Sequence, residues 1–336
     1  MVYEHLFLTA VNYSPPVVPE QAQKFFPENT DSFMDGLWEM FKRATAFVSP
    51  DLSQAAGVCL CVFGIILLIL LLDTLSESTK PVHKLIGTIA ISITLLQSTG
   101  TLINLSVDTV RQLSDYGKLL LPVMTGALAA EGGITTSTAL YAGTVVFDTV
   151  LTVILSKLII PLAYVYLILG IAQSAIENNF LQEIHKFIKW LMTWVLKISL
   201  YVFTGYIGIT GVISGTADAS AIKATKLALS GVVPVVGSII SDASETILVG
   251  AGLVKNSVGV FGLLAILALW LGPFLQIGAH YILLKLTAGL SASLGDKSVC
   301  NLVKNFAGTI GFLLAATGTM CLMLLISTVC FMRGVQ

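Results

Sequence analysis

The chain has 336 residues, of which 55% are hydrophobic and only 11% charged, with a net charge of −1. Soluble domains carry about 25% charged residues, so a soluble enzyme with a polar shell is excluded and an all-α polytopic membrane protein is expected. Eighteen basic against nineteen acidic residues leave no surface for a phosphate backbone, so no nucleic-acid partner is expected. Five cysteines (Cys59, Cys61, Cys300, Cys321, Cys330) sit in or beside apolar stretches. Their odd number and the lack of a Cys-x-x-Cys pair imply neither a disulfide framework nor a zinc site.

Residues 1–54 differ from the rest. Half the prolines (Pro15, Pro16, Pro19, Pro27, Pro50) lie here, and Pro15–Pro19 reads as extended linker. Residues 1–14 lack the positive start and long apolar core of a signal peptide. Over 31–41 the spacing of Phe33, Leu37, Met40 and Phe41 predicts a short amphipathic helix capped by Asp31. It would rest on the membrane or the main domain, or dock a partner. The expected organisation is an extramembrane region over 1–54 and a helical membrane domain over 55–336.

Ala55–Leu72 is uncharged and long enough to cross a hydrocarbon layer of about 30 Å. Leu85–Val107 is also uncharged but rich in polar residues, among them Ser92, Thr94, Gln97, Thr101 and Asn104. Such a helix suits burial among other helices or the wall of a wet cavity. Further apolar stretches run through 119–130, 134–175, 187–214, 228–254, 256–284 and 306–332. Together they predict six to eight membrane segments, some of them broken or half-crossing. Loop charges do not settle orientation.

Two proline pairs point to an internal duplication. Pro122 to Pro161 and Pro234 to Pro273 are both 39 residues apart, and a shift of 112 superimposes them. The expected repeats are about 80–214 and 215–336, with a break near Pro122 and another near Pro234. Paired, interrupted segments are a way that transporters build a midplane site.

Gly205, Gly208, Gly211 and Gly215 recur at helical spacing. Their shared face allows close approach of another helix, or else lines a pore with backbone. Gly215–Ser220 reads as a turn with Asp218 as a cap. Asp242 and Glu245 have capping-box spacing before Thr246. The other reading makes Asp242, Glu245 and Lys255, with Asp218, an intramembrane polar cluster lining a path. Asp148 and Lys157 lie inside a long apolar stretch and fall on opposite helix faces, so they are not a mutual pair. No catalytic set is visible. The histidines (His5, His83, His185, His280) are scattered, with no nucleotide loop, His-Glu-x-x-His or Gly-x-Ser-x-Gly. No cofactor and no enzyme activity are expected.

The run Gly205–Asp218, then Ile222–Lys226, Ser230–Thr246 and Gly252–Ser257, resembles the signature block of the stage III sporulation protein AE family. Gly272-Pro273-Phe274 and Leu283–Ala288 continue it, and the resemblance extends over about 50–336. It implies a multi-pass protein of the mother-cell-derived outer forespore membrane in an endospore-forming bacterium. It further implies an eight-protein, secretion-like transenvelope channel complex with other membrane proteins and a separate cytoplasmic ATPase. Family members begin with a signal peptide and an extracytoplasmic region, a pattern from which residues 1–14 depart. The resemblance carries over no catalytic residue. From another class, the duplication and broken segments fit a permease-like secondary transporter of a small solute.

Overall fold

A computed structural model describes residues 16–27, 33–75, 77–176, 178–232, 237–293 and 297–333. Of these, residues 33, 48, 49, 77, 210–232, 237–255 and 297 are described by their backbone only. A short helix, α1 (Glu20–Gln23), precedes α2 (Phe33–Leu75), α3 (Lys80–Ala130), α4 (Ile134–Ile154), α5 (Ile160–Ala175), α6 (Asn179–Val232), α7 (Gly237–Ser293) and α8 (Lys297–Arg333). No strand occurs among the described residues. Among the described residues, six helical segments are long and apolar enough to cross a membrane: Pro50–Leu75, Lys80–Ala130, Ile134–Ala175, Asn179–Ile209, Asn256–Ser293 and Ser298–Arg333. The fold is thus all-α, as composition and apolar runs required.

The helices are longer than one crossing needs. At about 1.5 Å per residue, the 51 residues of α3 reach about 77 Å, against a hydrocarbon layer of about 30 Å. Several expected boundaries therefore vanish into continuous helix. The predicted amphipathic segment is the first part of α2, which runs on through Pro50. Its buried side is Gly36, Met40 and Ala44, whereas Leu37 and Phe41 are exposed. Close packing selects the small residues: a Cβ at Gly36 would meet Leu264 and Pro27 at 3.2 Å. The segment after Pro16 is not a free linker, since Val18, Ala22 and Phe25 are buried. Phe25 packs edge-on against Phe47, and Phe26 lies 4.8 Å from Phe261 on α7.

Pro122 does not break its helix, which continues to Ala130 before the turn at Glu131–Gly133. Gly132 takes φ 101° there, a conformation that a side chain would oppose. A shift of 112 carries this turn onto Ala243–Glu245, which are helical, so the breaks of the two expected repeats do not coincide. Pro234 lies outside the described residues, and Pro273 is inside α7. Before Pro161 the backbone widens into a π-helical turn, Leu155–Ile159. Proline has no N–H to donate four residues back, and a π-bulge shifts the ladder's register where that bond is lost.

Two buried clusters fill the bundle. One joins the second half of α3 to α4, α6, α7 and the end of α8, through Tyr116, Leu120, Met124, Phe203, Met320 and Phe331. The other joins α2 and the first half of α3 to α7 and the start of α8, through Ile66, Ile91, Leu95, Ile277, Leu302 and Phe306. Lipid tails are as apolar as leucine, so within a membrane these contacts stabilise by fit rather than by escape from water. At the α2–α3 turn, His83 Nδ1 and Asp73 Oδ1 lie 3.0 Å apart.

Candidate functional site

Polar side chains converge between α3, α4 and α8. Asp148 of α4 is only 2% exposed. Ser114 of α3 donates its hydroxyl to Asp148 Oδ2 at 2.8 Å. One turn earlier, Thr144 Oγ1 meets Ser327 Oγ of α8 at 3.3 Å. Asp148 Oδ1 is buried without a hydrogen-bond partner among the described residues, as is Thr152 Oγ1 one turn further on. Thr144, Asp148 and Thr152 share a face because they are four residues apart. Gly117 lets α3 pack closely beside this layer: a Cβ there would meet Leu324 at 2.8 Å and Asp148 Oδ1 at 3.9 Å. A carboxyl group at this depth is expensive unless it faces protein or water. Here it faces protein, and it pins α4 to α3 in register.

The sequence singled out Asp148 and Lys157 as faces apart, and they are: Lys157 is exposed while Asp148 is buried. The partner Ser114 gave no such signal, because it lies 34 residues away. His280 is a buried, hydrogen-bonded side chain, with Nδ1 2.9 Å from the Gln276 carbonyl. His185 is also buried and stacks on Tyr166, ring centroids 3.9 Å apart. Cys59, Cys300 and Cys321 are buried, as small apolar side chains, but Cys61 is exposed.

The predicted polar cluster does not come into view. The side chains of Asp218, Asp242, Glu245 and Lys255 lie outside the described residues, as do Gly211 and Gly215 beyond their backbone. Their backbone still corrects the local readings. Gly215–Ser220 is not a turn but part of α6, and Asp242 and Glu245 lie within α7 rather than at its start. No proline interrupts either run, and propensity differences of up to about 0.7 kcal/mol per ordinary residue yield to the long helix around them. Gly205 and Gly208 are exposed, and a Cβ at either would meet nothing within 4 Å. The face they share is thus open in this chain, not a packing seam between its described helices.

A second feature is an open cleft of about 360 Å³ between the amino-terminal segment, α2, α3 and α7. Its polar lining comes from Gln21, Lys24, Asp51, Gln112 and Gln276. Gln112 donates to the side-chain oxygen of Gln21, tying α1 to α3. Lys24 lies over the Phe47 ring, 5.5 Å from its centre.

Long apolar helices around buried polar groups define a polytopic α-helical membrane protein. The stage III sporulation protein AE family matches residues 30–334, and the chain belongs to it. The chain is similar to stage III sporulation protein AE of Bacillus subtilis strain 168, with 22% identity over 272 residues covering 80% of this chain and 68% of the relative. No solved structure matches it. The family carries a role in sporulation, and the six apolar spans make this member a membrane protein.

Proposed function

We propose that the chain is an integral component of the mother-cell–forespore transenvelope channel complex required for endospore development. It sits in the outer forespore membrane beside other membrane proteins of the same assembly. It is a non-catalytic subunit, and a separate cytoplasmic ATPase supplies the work. The observation that supports this reading most is the family match over nearly the whole helical body, residues 30–334. The test is a sporulating host whose own copy is replaced by a tagged version of this chain. Removal should arrest spore development, and the tagged chain should co-purify from mother-cell membranes with other sporulation membrane proteins and an ATPase. Solute uptake by the purified chain alone in liposomes on an ion gradient would instead establish a permease.

Within this reading, Asp242 and Glu245 face protein or water and their charge serves passage or assembly. Asp242→Asn with Glu245→Gln keeps hydrogen bonding and removes the charge. The double variant should accumulate normally in the membrane yet form few spores. Normal sporulation would leave the two residues without a role for their charge.

A further inference from the structure

The exposed face of α3 changes character along its length. Ile86, Ile89 and Ile93 are exposed at its start, 50–66% accessible. From there Gln97, Thr101, Asn104, Asp108, Arg111, Asp115 and Lys118 are all exposed, spaced alternately four and three residues apart. That spacing holds them on one helix face, with a drift of only about 20° per heptad. Gln97 to Lys118 covers about 32 Å at 1.5 Å per residue, the depth of a hydrocarbon layer of about 30 Å.

A polar face could simply stand outside the membrane. The neighbouring helix argues otherwise. The hydrogen bond from Ser114 to Asp148 fixes α3 and α4 at the same level. At that level α4 turns Val146, Val150 and Val153 outward, 58%, 48% and 54% exposed. Asp115 and Lys118 of α3, on the same level, have side chains 72% and 58% exposed. One side of the bundle thus offers a surface suited to lipid tails while another offers charged groups. Charged side chains within a membrane turn to protein or to a water-filled cavity. All four of these charged groups are exposed, and Gln112, on the flank of their face, is held by Gln21 of α1.

We propose that the α3 face from Gln97 to Lys118 is the wall of a hydrated path through the membrane, whose remaining walls come from other chains. This rests on the reading of the chain as a subunit of a membrane assembly. The face carries two acidic and two basic side chains, one pair of which is joined, Lys118 Nζ donating to Asp115 at 2.9 Å. A wall so balanced admits water and small ions without strong selection by sign.

The test is thiol labelling in membranes of sporulating cells, with the tagged chain as the source of its own subunit. The background carries Cys61→Ser, since Cys61 is exposed. Single cysteines replace Asn104 and Asp115 on the α3 face, and Val146 and Val150 on α4. A charged, membrane-impermeant thiosulfonate reagent is added to opened membranes, and the labelled fraction is read as a gel shift. Positions 104 and 115 should react several-fold faster than 146 and 150. Protection at 104 and 115 overturns the proposal, because the face then meets lipid or protein. Equal, fast labelling at all four positions also overturns it, because the level then lies outside the membrane. Failure of the assembly reading would show separately, as a missing ATPase in the co-purification.

Discussion

Ser114→Ala will destabilise the chain more than Ser114→Ala combined with Asp148→Leu. The carboxyl group of Asp148 is 2% exposed, and the Ser114 hydroxyl is its hydrogen-bond partner among the described residues. Its other oxygen already has none. Alanine at 114 removes the donor and leaves the whole group buried and unsatisfied, at a cost of about 1–3 kcal/mol. Replacing both partners by apolar groups removes the need along with the donor, which is close to neutral when shape is kept. Leucine keeps aspartate's branched four-heavy-atom skeleton, and the lost Ser114 hydroxyl frees part of the space that its bulkier methyl groups need. Polar pairs in membrane proteins average only about 0.6 kcal/mol when the unfolded state finds other partners, so the coupling decides how enclosed this site is. The check is a double-mutant cycle on the purified protein in detergent, read as the midpoint of thermal aggregation. An equal loss in the single and double variants would show that Ser114 does nothing for the carboxyl. A rescue on adding Asp148→Leu would establish the layer as a register pin between α3 and α4.

The membrane class was legible because it rests on composition: with 11% charged residues no polar shell can form. The helical fold was legible for the same reason, since hydrocarbon admits only backbones that satisfy themselves. Element ends were not. Gly215–Ser220 and Asp242–Glu245 carry turn and cap chemistry, yet both are helical. Local signals of a few tenths of a kcal/mol lose to a helix of 54 or 57 residues held along its length. Pro122 misled in the same way: removing one ladder bond does not end a helix whose neighbours hold it. The charged stripe on α3 was half-legible. Its first members, Gln97, Thr101 and Asn104, stood out as too polar for lipid, but a search for uncharged windows stops at Val107. Reading on at the same four-three spacing would have found Asp108, Arg111, Asp115 and Lys118. Ser114 beneath Asp148 could not be found this way, because no periodicity links two helices across a turn. The glycine spacing was legible only as a bare face: Gly205 and Gly208 are exposed, and spacing does not tell what approaches such a face.

Gly170→Ala and Gly205→Ala, the same substitution in two helices of one bundle, should move stability in opposite directions. Gly170 lies in α5 against Asn305 of α8, where an added Cβ would sit 2.8 Å from the Asn305 Cβ. That atom is fixed to its backbone and cannot rotate away, so α5 and α8 must separate. The cost expected of such overpacking is about 1–3 kcal/mol. Separation also weakens the nearby bonds between these elements, among them the Ser298 hydroxyl that donates to the Ser174 carbonyl. At Gly205 a Cβ meets nothing within 4 Å, and alanine favours a helix interior over glycine by about 0.8–1.0 kcal/mol. Gly259 separates volume from rigidity. Its Cβ would lie 2.3 Å from Met332 Cγ, but that atom belongs to an unbranched side chain that can turn aside as a whole. Gly259→Ala should therefore fall between the other two. The aggregation midpoints of the three variants, measured in one detergent, test the order. If Gly170→Ala proved as mild as Gly259→Ala, the α5–α8 seam would have slack. The register pin at Asp148 would then have to hold the bundle without a tight seam beside it.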